Sequence, residues 1–187
     1  MKNADSKLKA VCVFCSSGSE VSAEIKEDGR KLGALMAKRG YELVYGGTDC
    51  GLMKIVAESH QKAGGRVVGI VPKFMVEEGI HNSTQDETVI VENMRDRKAV
   101  MQERAEAFIA LPGGLGTYDE LFDTIALKQL GMHDKPILLI NTEGYYDLFL
   151  SMLKHGIAEK TIKKEYLAYI KIVGSPEEAV AFLSAYY

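Results

Sequence analysis

Two charged segments of the sequence combine residue types and spacing suited to chemistry. Glu120 lies four residues beyond the glycine-rich run 111–116, and Arg95, Arg97 and Lys98 place three cations within four residues. A carboxylate can stabilise a developing positive charge and position water, whereas a planar guanidinium can orient that carboxylate or bind a phosphate. The two segments predict an acid–base or phosphate-binding site if the fold brings them together.

Both segments also have a purely structural interpretation. If Thr117 is a helix N-cap, Glu120 completes a capping box and merely accepts backbone hydrogen bonds. A run of cations is commonly a solvated helix face. Because the run precedes the apolar segment 105–111, which delivers the glycine-rich turn, one cation can instead reach the same edge as Glu120.

Three apolar runs end in small or glycine-rich turns, at 15–19 (CSSGS), 45–51 (YGGTDCG) and 111–117 (LPGGLGT). Glycine lets a backbone approach an anion closely, and the N–H groups of a following helix favour phosphate, although each turn alone could simply reverse the chain. Neither GxGxxG nor GxxxxGK[ST] occurs, so dinucleotide dehydrogenases and P-loop NTPases lose their main support. A mononucleotide is the ligand that these turns favour.

Strand-length apolar runs alternate with amphipathic stretches along the whole chain. We predict strands at 9–14, 41–45, 66–71, 88–91, 107–111, 136–140 and 169–173, and helices at 20–39, 51–63, 93–105, 117–130, 145–155 and 176–185. This alternation predicts an α/β fold, a doubly wound Rossmann-like parallel sheet with helices on both faces, in which ligands bind at the carboxyl ends of the strands. Residues 72–87 are the least periodic and are expected to form a mobile loop and part of the pocket wall.

Composition restricts the class of protein without identifying it. The 187 residues are 47% hydrophobic and 26% charged, which suits one nucleotide-binding domain spanning 1–187. No apolar run approaches the roughly 20 residues of a membrane span, and residues 1–9 lack the apolar core of a signal peptide, so we expect a cytoplasmic protein without a membrane partner. A net charge of −3 argues against nucleic acid as a partner.

Cysteine and histidine spacing does not predict a metal site. Cys12 and Cys15 form a CxxC, but they lie in an apolar strand-like run, and no second cluster completes a zinc site. We interpret them as small buried residues rather than as a redox pair. The four histidines lack HxxxH or HExxH spacing, and we expect neither a metal nor a cofactor.

The same segments resemble the motifs of a known family. LPGGLGTYDE (111–120) resembles the PGGxGTxxE motif of the Lonely Guy family, and MRDRK (94–98) resembles its MxxRK motif. YGG (45–47) with GLM (51–53), QLGMHDKPILLIN (129–141) and GYYD (144–147) are also similar to that family, so the resemblance covers nearly the whole chain.

The resemblance implies a Rossmann-like homodimer, or an assembly of dimers, that hydrolyses the N-glycosidic bond of a nucleoside 5′-monophosphate, either AMP or an N6-modified cytokinin nucleotide. By position, Arg97 and Glu120 become the catalytic pair. The implied substrate- and phosphate-binding residues are Gly46, Gly47, Thr48, Met94, Lys98, Gly113, Gly114, Gly116 and Thr117. Two departures bear on base preference: Arg95 stands where the family often has His, and the turn GGTDCG lacks a common third glycine.

Two other functions are compatible with the same fold. A non-catalytic nucleotide or cofactor carrier needs only the glycine turns, so the joint presence of Arg97 and Glu120 favours an enzyme. A lysine decarboxylase, a label that similar sequences have carried, needs a lysine that forms a Schiff base with pyridoxal phosphate, and nothing in the sequence marks one.

Overall fold

A computed structural model describes residues 9–187. Its strands are β1 (Ala10–Phe14), β2 (Glu42–Tyr45), β3 (Val67–Pro72), β4 (Glu87–Val91), β5 (Ala107–Ala110), β6 (Ile137–Ile140) and β7 (Ile170–Val173). Its α-helices are α1 (Ala23–Lys38), α2 (Gly51–Lys62), α3 (Lys73–Glu77), α4 (Met94–Arg104), α5 (Leu115–Gln129), α6 (Asp147–Ala158) and α7 (Pro176–Tyr186). Two 3-10 segments lie at Thr142–Gly144 and Lys164–Tyr169.

The strands form one parallel sheet in the order β4-β3-β2-β1-β5-β6-β7. All seven predicted strands are confirmed, with ends that differ by no more than one residue. The central strands are buried along their whole length, as their continuous Val, Ile and Leu runs predict, whereas the edge strand β4 alternates between half-buried and exposed residues. The chain therefore adds β2, β3 and β4 on one side of β1, and then β5, β6 and β7 on the other side.

Helices cover both faces of the sheet, so the predicted doubly wound α/β fold is confirmed. Helices α1, α2 and α7 bury one apolar core against the sheet, around Leu32, Leu52 and Leu183. Helices α4, α5 and α6 bury the other, around Met101, Leu121 and Phe149. No helix within residues 9–187 has both the length and the apolar character that crossing a bilayer requires.

Side-chain N-caps fix the first residues of several helices. Ser22 accepts a hydrogen bond from the Ile25 N–H at 3.2 Å and caps α1, and Ser175 caps α7 directly before a proline in the first turn. Asn93 caps α4 through the N–H groups of Arg95 and Asp96. All six predicted helices are confirmed; α3 was not predicted.

In place of the expected loop, the 72–87 segment is partly helical. This segment contains α3, and hydrogen bonds attach its later part to the end of β2 and the turn that follows. The Asn82 N–H donates to the Gly47 carbonyl at 2.7 Å, and the buried Tyr45 hydroxyl donates to Gln85 at 3.0 Å. Polar side chains hold the segment, and hydrophobic periodicity does not report such bonds. This packing makes the segment one wall of the cleft described below.

Candidate active site

A cleft of about 710 Å³ opens where the order of the strands reverses, between the carboxyl ends of β1 and β5. Here the Ser16 N–H donates to the Pro112 carbonyl at 3.2 Å, which joins the first and third predicted turns. In doubly wound sheets, ligands usually bind in the crevice where the strand order reverses, and a cleft of this volume suits a small molecule. All three predicted turns contribute residues to the cleft, among them Ser16, Ser17, Gly46, Thr48, Gly114 and Gly116.

The first two turns lock together through the start of α2. The N–H groups of Leu52 and Met53 donate to the Ser16 carbonyl at 3.0 and 3.3 Å. Gly51 adopts a left-handed φ of 54°, and a Cβ there would overlap the backbone of Ser17. The close approach of these two turns therefore requires glycine at position 51.

The third turn leads into a helix that has no side-chain cap. Gly114 is the N-cap of α5, and the first intrahelical bond runs from the Tyr118 N–H to the Gly114 carbonyl at 3.1 Å. The N–H groups of Leu115, Gly116 and Thr117 precede that bond and lie at the cleft. Free N–H groups and the helix dipole favour an anion at this position. By contrast, Asn93 occupies the equivalent groups of α4.

The alternative in which Thr117 caps α5 is wrong. The helix begins two residues earlier, at Leu115, because Gly113 and Gly114 let the chain turn without a capping side chain. Thr117 is therefore a buried residue inside the first turn, and a Cβ at Gly113 would collide with its hydroxyl. Glu120 lies beyond that turn, so it cannot complete a capping box with Thr117.

Arg97 is buried in the first turn of α4 and is anchored by main-chain carbonyl groups. Its Nε donates to the Ile70 carbonyl at 3.1 Å and its Nη2 to the Gly46 carbonyl at 2.7 Å. A Cβ at Gly46 would overlap the guanidinium, so glycine at this position makes room for it. The predicted solvated cation face is thus wrong for Arg97, whose remaining nitrogen, Nη1, faces Glu120.

Glu120 faces Arg97 across 3.9 Å, measured from Oε1 to Nη1, and only 12% of its side chain is exposed. Within residues 9–187 its carboxylate accepts no closer hydrogen bond. Burial raises the pKa of Glu120 from 4.5 to about 7, although the Arg97 charge opposes that rise. The exposed Asp119 raises the same pKa further and Lys98 lowers it. The carboxyl can therefore exchange a proton near neutral pH.

Known proteins resemble this chain in sequence. The family described as "possible lysine decarboxylase" matches residues 53–183. A cytokinin riboside 5′-monophosphate phosphoribohydrolase of Arabidopsis thaliana is 38% identical over 182 residues, which cover 97% of this chain and 85% of that protein. A probable enzyme of the same name from Oryza sativa subsp. japonica is 38% identical over 181 residues, covering 97% of this chain and 72% of that protein.

The chain belongs to the Lonely Guy family. The predicted resemblance is confirmed, and with it the prediction of an enzyme. Solved structures agree in fold: the molybdenum cofactor carrier protein of Chlamydomonas reinhardtii superposes with a TM-score of 0.73 at 18% identity, over 96% of this chain and 98% of that one. The molybdenum cofactor binding protein of Rippkaea orientalis gives 0.73 at 19% identity, with the same coverage. At such identities the likeness shows the fold alone.

The Lonely Guy motifs converge on the cleft, with three exceptions. The predicted residues that line it are Gly46, Thr48, Met94, Arg97, Gly114, Gly116, Thr117 and Glu120. Gly47 instead packs against β3, with a left-handed φ of 72°, and Gly113 packs against Thr117 within the third turn. Lys98 donates to Asp119 at 2.8 Å and lies outside the lining.

Several lining residues of this Lonely Guy chain were not predicted individually. Phe74, Ile80 and His81 form a wall that belongs to the 72–87 segment, and Met53 enters from α2. The segment as a whole was expected to build pocket walls, and that expectation is confirmed. Its individual residues carried no signal, because an apolar side chain at a cleft mouth and one in a core look alike in sequence. Leu115, 89% exposed at the cleft, is the clearest case.

The cysteine interpretation as buried residues is confirmed. Cys12 and Cys15 are both buried, and they belong to the cores on opposite faces of the sheet, so they do not form a pair. Burial raises the pKa of the Cys15 thiol well above its ordinary value, which disfavours the reactive thiolate. Among residues 9–187, no cluster of His, Cys, Asp and Glu side chains has the geometry of a metal site.

Proposed function

We propose that this protein hydrolyses the N-glycosidic bond of a nucleoside 5′-monophosphate, AMP or an N6-modified cytokinin nucleotide, to a free base and ribose 5-phosphate. The observation that carries the proposal is the buried Glu120 facing Arg97 in a cleft that also contains the uncapped start of α5. The names of the relatives, cytokinin riboside 5′-monophosphate phosphoribohydrolases, support the same reaction.

The phosphate of the nucleotide binds at the start of α5 in this proposal. The N–H groups of Gly114, Gly116 and Thr117 supply donors, and the helix dipole supplies a favourable field. Gly47 and Gly113 shape the two turns that bring these donors to the cleft. Lys98 neutralises Asp119 beside the site rather than contacting the phosphate.

Glu120 performs the central chemistry. As the bond from C1′ to the base breaks, positive charge develops on the ribose, and the ionised carboxylate stabilises it. Glu120 accepts a proton from the water that adds to C1′ and passes that proton to the departing base nitrogen, so the reaction adds one water across the bond. With a pKa of about 7, roughly half of the carboxyl groups are ionised at neutral pH.

Arg97 orients Glu120 and supplies positive charge. Two of its three nitrogens are fixed by the Ile70 and Gly46 carbonyls, which leaves Nη1 directed towards the carboxylate. Because the guanidinium is planar, fixing two nitrogens also fixes the third. A lysine at this position could not make these contacts together, so its charge would not be held in place.

The base lies against the wall from the 72–87 segment. Phe74 and Ile80 of that segment and Met94 of α4 are 44%, 44% and 42% exposed and present apolar surface to the cleft. Such a wall suits the flat face of a purine and leaves apolar contacts for an N6 substituent. Both AMP and a cytokinin nucleotide are therefore substrates to test.

Decarboxylation of lysine, which the family description names, does not fit this cleft. That chemistry requires a lysine able to form a Schiff base with pyridoxal phosphate. Within residues 9–187 no lysine lines the cleft, and the nearby Lys98 is bonded to Asp119. The residues present therefore do not fit pyridoxal phosphate.

Product release tests the proposal directly. Purified protein incubated with AMP, and separately with N6-isopentenyl AMP, is expected to release the base and ribose 5-phosphate, measured by chromatography. Glu120→Gln should lower the turnover number by about 10³-fold, as removal of a transition-state contact does. Asp119→Asn, the matched neighbouring carboxylate, should retain it. If neither nucleotide is cleaved but either raises the melting temperature, the protein is a carrier instead.

We further propose a homodimer formed through the outer face of α5 and α6. Phe122, Leu148 and Met152 are 41%, 84% and 49% exposed on these two helices, which leaves apolar surface uncovered there. Light scattering should give about twice the chain mass of 20.6 kDa. Leu148→Glu with Met152→Glu should give the monomer mass, and a monomeric wild-type protein would contradict the proposal.

A further inference from the structure

The segment GYYD at 144–147 has no part in the reaction described so far, yet it lies at a strained turn. The chain leaves β6 through Glu143, at a φ of 52°, and Gly144, at a φ of 74°. A left-handed backbone conformation costs free energy for any residue other than glycine, and Glu143 is such a residue. Interactions around the turn must therefore hold it in this conformation.

Asn141 supplies two of those interactions. Its Oδ1 accepts from the Tyr146 N–H at 2.7 Å, and its Nδ2 donates to Asp147 at 2.8 Å. From α1, Asp28 accepts from the Thr142 hydroxyl at 2.7 Å. These bonds fix the backbone from which Tyr145 and Tyr146 project.

Both tyrosines reach the third glycine turn, where they bond main-chain carbonyls. The buried Tyr146 hydroxyl donates to the Leu111 carbonyl at 2.7 Å, and the Tyr145 hydroxyl donates to the Gly113 carbonyl at 2.6 Å. The two rings also pack edge to face, with centroids 5.2 Å apart. The β6–α6 turn thus supports the turn that begins α5.

The bond from Tyr145 fixes the direction of one particular N–H group. In a trans peptide the carbonyl of one residue and the N–H of the next point in opposite directions. The Gly113–Gly114 peptide is trans, so holding the Gly113 carbonyl on Tyr145 directs the Gly114 N–H to the opposite side. Gly114 lines the cleft, and no acceptor within residues 9–187 bonds its N–H.

We propose that Tyr145 is a positioning residue for phosphate recognition: its hydroxyl fixes the Gly113–Gly114 peptide so that the Gly114 N–H is directed at the phosphate of the ligand. This inference rests on the proposed function, because it assumes a phosphate at the start of α5. Glycine at both positions leaves this peptide otherwise free to rotate, which is why a tether from outside the turn matters.

Tyr145→Phe removes the tether and keeps the ring. It should raise KM for AMP about fivefold to tenfold with the turnover number changed less than about twofold, since contacts made equally in substrate and transition state affect KM alone. The inhibition constant of ribose 5-phosphate should rise by the same factor, whereas that of adenine should not change. Tyr187→Phe is the matched control, because that hydroxyl also donates to a main-chain carbonyl, of Glu106, at 2.7 Å outside the cleft.

A double-mutant cycle separates positioning from general destabilisation. Gly114→Pro deletes the N–H itself; the φ of Gly114 is −86°, near the proline range, and a Cβ there meets no atom within 4 Å. This variant should weaken the binding of ribose 5-phosphate at least as much as Tyr145→Phe does. Adding Tyr145→Phe to Gly114→Pro should then have less than a twofold further effect.

The possible results distinguish this inference from the proposed function. If wild-type protein binds ribose 5-phosphate without cleaving AMP, the hydrolase proposal fails and the binding measurements still test Tyr145. The role of Tyr145 would be overturned if Tyr145→Phe weakened the binding of adenine and of ribose 5-phosphate equally. It would also be overturned if the effects of Tyr145→Phe and Gly114→Pro were independent. If wild-type protein cleaves AMP but does not bind ribose 5-phosphate, the role of Tyr145 in phosphate recognition is overturned and the hydrolase proposal stands.

Discussion

Two arginines of helix α4, Arg97 near its amino end and Arg104 near its carboxyl end, lie in opposite kinds of environment. Near its carboxyl end, Arg104 bonds Glu87 through Nη1 and Nη2 at 2.7 and 2.9 Å and Glu42 at 3.1 Å, and Arg66 bonds the same two carboxylates. Near its amino end, Arg97 faces Glu120 at 3.9 Å. One cluster is fully paired at the amino edge of the sheet, and the other is incompletely paired at the carboxyl edge.

The pKa values of the carboxylates Glu87 and Glu120 are shifted in opposite directions. Hydrogen bonds from Arg104 lower the pKa of Glu87, whereas burial raises the pKa of Glu120 to about 7. A paired carboxylate stabilises the fold, and an underpaired buried one costs stability but retains free lone pairs for a substrate or water. Pairing, rather than the presence of arginine and glutamate, therefore distinguishes the structural cluster from the reactive one.

The same substitution at both arginines should have the largest difference in effect. Arg97→Lys should lower the turnover number on AMP by about 10- to 100-fold, because a lysine cannot bond both carbonyls while facing Glu120. Arg104→Lys should change it less than about twofold. Steady-state kinetics of the two variants measure this, and equal losses would mean that the carboxyl-edge pair has no special role.

The pH dependence of the reaction should follow Glu120. If the ionised carboxylate acts, kcat/KM rises about fourfold between pH 6.5 and 8.5, as expected for a group with a pKa of about 7. In Asp119→Asn the rise should occur at lower pH, since the Asp119 charge raises that pKa. A flat profile in wild-type protein would remove Glu120 as the titrating group.

The sequence predicted the sheet well because burial on both faces leaves continuous apolar runs. The charged segments and the family resemblance also named Arg97 and Glu120, which lie 23 residues apart in the sequence. Their 3.9 Å separation depends on Gly46, whose missing side chain makes room for the guanidinium. No local pattern encodes the space that Gly46 leaves for an arginine 51 residues later in the chain.

Features held by polar contacts were harder to predict. The 72–87 segment looked aperiodic because Asn82 and Gln85, rather than an apolar stripe, attach it to Tyr45. The start of α5 was misplaced because a glycine N-cap leaves no side-chain signature, whereas a threonine followed by a glutamate does. In both cases the missing information is which backbone group each polar side chain bonds.

The two carboxylates should also differ in how they affect the free energy of unfolding, and Glu120 should have the larger effect. Its folded pKa of about 7 exceeds the unfolded value of 4.5, so the native state holds more protons between these values and wild-type stability falls as the pH rises through them. Glu120→Gln should therefore be more stable than wild type by roughly 1–3 kcal/mol at pH 8 and nearly equal to it at pH 4.5. Urea unfolding at both pH values measures this, and a destabilised variant at pH 8 would contradict it.

The smallest effect is expected at Glu87, with the opposite sign. Its folded pKa lies below the unfolded value of 4.5, so its contribution is present above pH 4.5 and is lost as the pH falls through the folded value. Glu87→Gln should be less stable than wild type by up to about 1 kcal/mol at pH 8, a modest loss because 31% of the side chain is exposed. The difference should shrink below pH 4.5, whereas the difference for Glu120→Gln grows with rising pH. If both variants shift stability in the same direction at pH 8, pairing is not what separates the two clusters.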